Sequence, residues 1–291
     1  MSSKILIVDD SNVAAQSLKN VIESENHETF ILNDGRNIVS VANDKAIDVI
    51  LLDIVMPEIS GYEVLEILKS TESTKYIPVI VITGLTYASE VKRAMDYGAM
   101  DFIRKTSEPV EILARVNSAI KIKNQHDQLV WSARRDPMTQ LYNKQFFNTT
   151  LDALIKEKNH HRKGIGLLLI DCDFFKKIND NHGHTYGDSV IITLASKIAE
   201  SVRETDFACR FGGEEFCVIL VNVSPYQSYT IAEKIRVAVE ATTEVDMTVS
   251  IGISHSDSGD KKQSVQMVNE ADLALHEAKE KGRNRTVIFD K

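Results

Sequence analysis

From its fourth residue the chain alternates short β-branched runs with amphipathic stretches. Strands are predicted at Lys4–Val8, Glu28–Leu32, Val49–Asp53, Val79–Thr83 and Asp101–Arg104, each a brief apolar or β-branched run bounded by polar or turn residues. Between them, segments 13–24, 36–43, 61–70 and 90–97 space apolar residues three and four apart, as helices packed on a sheet do. Five strands separated by helices predict an α/β fold with a doubly wound five-stranded parallel sheet. Segment 109–135 holds no glycine and no proline after Pro109, and Leu113, Val116, Ile120, Leu129, Val130 and Ala133 recur in a mixed rhythm. It predicts a helical rod of roughly 40 Å. Its end, 123–135, is expected to act as a connector in a two-stranded coiled coil; a terminal helix followed by a flexible linker is the plainer alternative. Asp136-Pro137 reads as an aspartate cap with proline in a first helical turn. The expected organisation is therefore 1–122, 123–135 and 136–291, with a further apolar strand at 166–170.

Composition narrows the function. A length of 291 residues suits two domains, and 43% hydrophobic with 26% charged residues argues against a disordered or fibrous chain. The net charge of −8 divides equally about Arg135, so neither half carries the cationic face expected of a nucleic-acid binder. The amino-terminal pattern is unlike a signal peptide, and no apolar run approaches the ~20 residues that span a bilayer, so no direct membrane contact is expected. Three cysteines, Cys172, Cys209 and Cys217, lack metal-ligand spacing and leave an odd thiol in any disulfide scheme. A reducing cytoplasm is the expected location.

The candidate chemistry of the first half falls at predicted strand ends. Asp9 and Asp10 follow the first strand, Asp53 ends the third, Thr83 ends the fourth and Lys105 follows the fifth. In open parallel sheets ligands bind beyond the carboxyl ends of the strands. Converging carboxylates repel one another unless a cation lies among them, and hard oxygen donors suit Mg²⁺. Singly, each residue has a plainer explanation as a helix cap or a solvated charge. Together with Met56-Pro57, Gly61 and Phe102, they make residues 3–122 resemble the receiver domain of two-component response regulators. The resemblance implies phosphoryl transfer from a sensor histidine kinase to Asp53. Asp10, Asp53 and the Val55 carbonyl would hold Mg²⁺, with Asp9 acting through water. Thr83 and Lys105 would meet the phosphoryl oxygens, and Phe102 would change rotamer. Thr106 departs from the pattern, which usually has proline after the lysine.

In the second half an apolar strand runs into Asp171-Cys172-Asp173-Phe174-Phe175-Lys176-Lys177-Ile178-Asn179-Asp180, followed by Gly183-His184 and Gly187-Asp188. Later, Cys209-Arg210-Phe211-Gly212-Gly213-Glu214-Glu215-Phe216 reads as a hairpin with paired glutamates at its turn. Carboxylates on a strand end and a neighbouring hairpin suit metal ions bound to a nucleoside triphosphate. With Asp136-Pro137-Met138-Thr139 at the start and Ala278-Lys279-Glu280-Lys281-Gly282-Arg283-Asn284 at the end, residues 136–291 resemble the GGDEF domain of diguanylate cyclases. Gln140 and His276 stand where that family usually has glycine and tyrosine.

This resemblance implies a mixed α/β, nucleotidyl cyclase-like fold in which two domains, each holding one GTP, form cyclic di-GMP and two pyrophosphates. Asp171, the Cys172 carbonyl and Glu214 or Glu215 would hold Mg²⁺, with Glu214 first choice as the base for the 3′-hydroxyl. Asn179 and Asp188 would read guanine, whose N1–H and amino group suit a carboxylate as adenine does not. Phe174, Phe175, Lys176, Lys279 and Arg283 would surround the triphosphate, and Asp173 would be structural. Arg203 and Asp206 fit the family's product-binding inhibitory motif, with Lys234 or Arg236 as an added cation. The full expectation is a homodimeric diguanylate cyclase regulated by phosphorylation of Asp53 and inhibited by cyclic di-GMP. A non-catalytic sensor of cyclic di-GMP and a dimerising scaffold are the rivals from other classes.

Overall fold

The computed structural model describes residues 2–84, 88–157, 164–242, 246–257 and 259–290. The chain divides into two compact units, Met1–Val130 and Trp131–Lys291.

In the first unit β1 (Lys4–Val8), β2 (Glu28–Leu32), β3 (Val49–Asp53), β4 (Val79–Thr83) and β5 (Asp101–Arg104) form one sheet in the order β2-β1-β3-β4-β5. Every pairing is parallel. The crossovers are α1 (Asn12–Glu23), α2 (Ile38–Lys45), α3 (Gly61–Ser70) and α4 (Ala88–Asp96), and α5 (Pro109–Arg134) follows β5. Alternate residues of each strand face opposite sides, so two separate cores form. Leu6, Ile50, Leu52 and Val81 meet α2, α3 and α4; Ile5, Ile7, Leu51 and Ile80 meet α1 and α5. This is why β3 and β4 are continuously apolar rather than alternating, being buried on both faces. Ser60 and Glu63 form a reciprocal capping box at the start of α3, an arrangement whose cap alone stabilises by about 1 kcal/mol.

The second unit contains α6 (Lys144–Glu157), β6 (Gly164–Cys172), α7 (Phe175–His182), α8 (His184–Ser201), β7 (Phe207–Gly212), β8 (Glu215–Val223), α9 (Pro225–Glu240), β9 (Val249–Ser256), α10 (Ser264–Glu280) and β10 (Thr286–Ile288). Its sheet order is β10-β9-β6-β8-β7, with β10 parallel to β9 and the other neighbours antiparallel. Helices α8 and α9 cover one face and α6 and α10 the other. Among the described residues no helix is long and apolar enough to cross a membrane.

Helix α5 runs without a break from Pro109 to Arg134, as the expected rod requires, so segment 123–135 is helical rather than the flexible linker of the plainer alternative. Two local expectations change, and a third is extended. Asp136 does not start a helix: its carboxylate accepts from the Thr139 N–H (2.9 Å) and hydroxyl (2.8 Å), closing a turn. The next helix begins only at Lys144, where the Asn143 side chain accepts from the Phe146 N–H at 2.9 Å. The third concerns the strand expected at 166–170, which extends to Cys172, so that Asp171 lies within the sheet.

Candidate functional site

The first acidic cluster follows from parallel register. β1 and β3 are neighbours, with Val8 opposite Leu52, so the residues just beyond both strands leave the sheet side by side. One carboxylate oxygen from each of Asp9, Asp10 and Asp53 lies within 4.8 Å of the others. Asp9 and Asp53 are buried while Asp10 is exposed. Lys105 Nζ reaches Asp53 Oδ2 at 2.6 Å and Asp9 Oδ2 at 3.2 Å. The Val55 N–H donates to Asp53 Oδ1 at 3.2 Å, and the Ser11 N–H donates to Asp9 Oδ1 at 2.8 Å. Burial pushes the Asp53 carboxyl above its ordinary range; Lys105 and the Val55 N–H oppose this, and the Asp9 charge adds to it. Burial alone would lower the Lys105 ammonium, but Asp53 and Asp9 hold it above the ordinary lysine value. Three converging hard oxygen donors, with the Lys105 ammonium on two of the three carboxylates, fit a small divalent cation.

The other residues expected at this site lie on β4 and β5. Thr83 is buried at the end of β4, and its carbonyl accepts from the Lys105 N–H at 3.0 Å. Phe102 on β5 is half-buried, with the Arg115 guanidinium 5.5 Å from its ring centre. Gly61 keeps α3 against the site: a side-chain carbon there would come within 2.3 Å of the Asp53 carbonyl oxygen. No larger residue fits without moving the backbone of Asp53 and Ile54.

In the second unit the antiparallel register does the corresponding work. Asp171 lies opposite Glu215 on β8 and Ser250 on β9, and β7 and β8 are joined by the two residues Gly213 and Glu214. The Cys172 N–H donates to the Glu214 carbonyl at 3.3 Å, which ties the turn to the end of β6. Neither Gly212 nor Gly213 has positive φ. A side-chain carbon on Gly213 would meet no atom within 4 Å, so the surface beyond the turn is open.

Asp171 pairs with Lys279 Nζ at 2.8 Å. Burial raises the Asp171 carboxyl, Lys279 opposes the rise, and Glu214 and Glu215 reinforce it. The Cys172 thiol is pushed up to about 12 by burial and by the carboxylates around it. A thiol so hard to ionise leaves the Cys172 carbonyl as the donor at that residue. Among the described residues, three ligand atoms converge within 4.8 Å only at Asp9, Asp10 and Asp53. The hairpin carboxylates are of the right chemical type for a divalent cation, but Asp171 here meets the Lys279 ammonium. Lys279, expected on a triphosphate, therefore sits on the Asp171 carboxylate, which was itself expected to hold a metal.

The other residues expected to meet a nucleotide lie along α7, on α8 and in the closing loop. Phe174 takes a left-handed conformation, φ 55°, before α7 and is half exposed. The Arg283 guanidinium lies 4.4 Å from its ring centre and Lys177 Nζ 4.8 Å. Lys176 is exposed beside them, and Phe175 packs against the core under α8. Asn179 Oδ1 is buried without a hydrogen-bond partner, and a side-chain carbon on Gly187 would come within 1.9 Å of it. Asp188, the next residue on α8, is exposed. Asn179 thus carries an unmet acceptor against Gly187, one residue from the exposed Asp188 carboxylate.

The expected inhibitory motif is arranged differently from its sequence reading. Asp206 is buried, and its two oxygens accept from the Arg203 and Val221 N–H groups, each at 3.1 Å. It therefore closes its own turn, while Arg203 is exposed. Lys234 Nζ donates to the Ser201 carbonyl at 3.0 Å, and Arg236 is held by Glu233, Glu240 and Asn284.

One residue escaped the sequence reading. Arg210 Nη1 pairs with Asp136 at 3.1 Å, while its Nε and Nη2 donate to the Gly213 carbonyl at 3.1 and 2.8 Å. It joins the opening turn of the unit to the glutamate hairpin. Its position just before Phe211-Gly212 was visible, but its reach to residue 136, seventy-four positions away, was not.

Comparison with known proteins agrees with this geometry. Response regulator PleD of Caulobacter vibrioides is 30% identical over 302 residues, covering 99% of this chain and 66% of that relative, so the chain spans just under two thirds of its length. Diguanylate cyclase A of Treponema denticola is 37% identical over 186 residues, covering 61% of this chain and 50% of that protein. The crystal structure of the coiled coil and GGDEF domain of DgcB from Caulobacter crescentus, in complex with c-di-GMP, superposes with a TM-score of 0.56 at 29% identity, covering 62% of this chain and 97% of that one. The response regulator receiver domain model matches residues 5–117 and the diguanylate cyclase GGDEF domain model matches residues 133–285. With more than half its length in that second match and the glutamate hairpin in place, the chain belongs to the GGDEF family and carries a receiver domain ahead of it.

Proposed function

We propose that this chain is a phosphorylation-regulated diguanylate cyclase, condensing two GTP into cyclic di-GMP and two pyrophosphates across a homodimer, with product inhibition. The observation that carries the reading is the hairpin Gly212-Gly213-Glu214-Glu215 set against Asp171, with Lys279 on that carboxylate and Arg283 stacked on Phe174. Asp171, the Cys172 carbonyl, Glu214 and Glu215 would hold Mg²⁺, which when bound supplies charge neutralisation for the triphosphate. Glu214 takes the proton from the 3′-hydroxyl of the GTP it faces. Lys279 leaves Asp171 for the triphosphate oxygens, where Arg283 and Lys176 also act. Asp188 accepts from the guanine N1–H and amino group, and the Asn179 amide meets the same base, which favours GTP over ATP.

One nucleotide site per domain cannot make a product of two nucleotides, so two chains must meet. The receiver supplies the control. Asp9, Asp10 and Asp53 would hold the receiver's Mg²⁺, a sensor histidine kinase donates the phosphoryl group to Asp53, and Thr83, Lys105 and Phe102 report its arrival. Cyclic di-GMP bound at Arg203 restrains the domain. The complete carboxylate set supports catalysis over the rival reading as a non-catalytic sensor. The test is product analysis after incubation with GTP, ATP and Mg²⁺ across a range of protein concentrations, with and without beryllofluoride. Cyclic di-GMP should dominate, with rate per chain rising with concentration and with beryllofluoride. Absence of product, or a rate indifferent to both, overturns the reading.

A further inference from the structure

Asp173 lies two positions beyond Asp171 and is 3% exposed. Its Oδ1 accepts from the Ser250 hydroxyl at 2.7 Å, and its Oδ2 accepts from the Thr248 hydroxyl at 2.8 Å and the Asn284 N–H at 3.0 Å. Its own N–H donates to the Thr248 carbonyl at 2.9 Å. All of these donors to its carboxylate are uncharged. A buried carboxylate without a cation is costly to keep unless each bond it accepts is made. The three bonds fasten the end of β6 to the start of β9 and to the closing loop.

That loop is strained. Gly282, Arg283 and Asn284 follow one another at φ 115°, 63° and 45°, and two of the three are not glycine. Left-handed residues in succession persist only where their surroundings fix them. On one side Asp173 holds the Asn284 N–H. On the other, Asn284 Oδ1 accepts from Arg236 Nη1 at 2.9 Å and its Nδ2 donates to Glu240 Oε1 at 2.7 Å. Between these tethers Arg283 is aimed at the ring of Phe174, the residue that immediately follows Asp173.

We propose that Asp173 is a positioning residue: it sets Arg283 against Phe174 so that the guanidinium is preorganised for the triphosphate of the bound nucleotide. The proposal deepens the cyclase reading and rests on it. Asp173 touches no substrate atom; it acts through the Asn284 N–H and the loop that carries Arg283.

The test compares Asp173→Ala, Asp173→Asn, Arg283→Ala and the double variant Asp173→Ala/Arg283→Ala in the full chain. Asp173→Ala should lower kcat/KM for GTP on the order of 100-fold, the scale of a small misplacement of a substrate-orienting group. In Asp173→Asn the amide oxygen still accepts from Asn284 while the Ser250 hydroxyl turns to accept from the new N–H. It should therefore stay within about tenfold of the unsubstituted protein, the scale of one lost neutral hydrogen bond. The double variant should be no worse than Arg283→Ala alone, because residues that act through one another are not additive. Losses that multiply overturn the proposal. If Asp173→Ala does not fold, Thr248→Val removes one donor to the same oxygen and should show the same non-additivity at smaller amplitude.

A second readout does not depend on turnover. Trypsin should cut after Lys281, Arg283 or Arg285 faster in Asp173→Ala than in the unsubstituted chain or Asp173→Asn, and an unchanged cleavage rate also overturns the proposal. If the unsubstituted protein makes no cyclic di-GMP, the functional reading falls, and the cleavage rates still decide whether Asp173 holds the loop.

Discussion

The chain builds two acidic sites by opposite means. In the first unit, residues 9, 53 and 105 come from three separated strand ends and close on one another, with two of the three clustered carboxylates buried. In the second, two glutamates share one hairpin, and Glu215 and the Gly213 surface stay exposed. Both sites put a lysine ammonium on an aspartate, buried in the first and half-buried in the second, whose carboxyl is raised chiefly by burial. The difference is enclosure. A closed knot of carboxylates suits one ion and one small phosphoryl group, whereas an open hairpin edge leaves room for a whole nucleotide.

The largest effect should come from the open site. Glu214→Gln should reduce cyclic di-GMP formation on the order of 1000-fold, measured as product per chain at saturating GTP, while beryllofluoride binding by the receiver is unchanged. Joint loss of both would break the comparison, since the two sites would then not be separate devices. Next, Arg210→Ala frees the hairpin from Asp136 and should cost on the order of 100-fold in kcat/KM; Asp136→Ala combined with it should add little. Gly187→Ala drives a carbon into Asn179 Oδ1 and should raise KM for GTP about tenfold, with the melting temperature of the second unit reporting any general damage.

At the closed site, Asp53→Asn should abolish the response to beryllofluoride, a coupling of about tenfold in activity. Its effect on stability is smaller and has a definite sign. Because the folded-state Asp53 carboxyl is raised, folding takes up protons there, and its stabilising contribution is lost as pH rises through the folded value. In metal-free buffer at neutral pH the Asn variant should melt about 3 °C higher. The advantage should vanish at pH below the ordinary aspartate range, or when Mg²⁺ is added; a lower melting temperature at neutral pH would contradict the assigned cause.

Legibility followed the same division. The β1–β5 strands were readable because each is a short apolar run whose ends carry the chemistry, and the hairpin was readable because its turn and glutamates are adjacent in sequence. What sequence could not supply was reach. Arg210 to Asp136, Asp173 to Asn284 and Asn179 to Gly187 are contacts between residues whose local surroundings say nothing of one another. Asp136-Pro137 misled for a related reason: an aspartate followed by proline suits a helix start, yet the partners of Asp136 are Thr139 and a distant arginine. For Asp206, matching the expected product-binding motif, sequence did not show that its oxygens accept from the Arg203 and Val221 N–H groups.

Asn143 performs two tasks with one side chain. Its backbone N–H and side-chain amide donate to the carbonyls of Arg134 and Ala133 at 2.8 and 2.7 Å, satisfying the end of α5, while its Oδ1 opens α6. The second unit therefore carries the end of its incoming helix within its own residues, and a single asparagine writes the punctuation between α5 and α6.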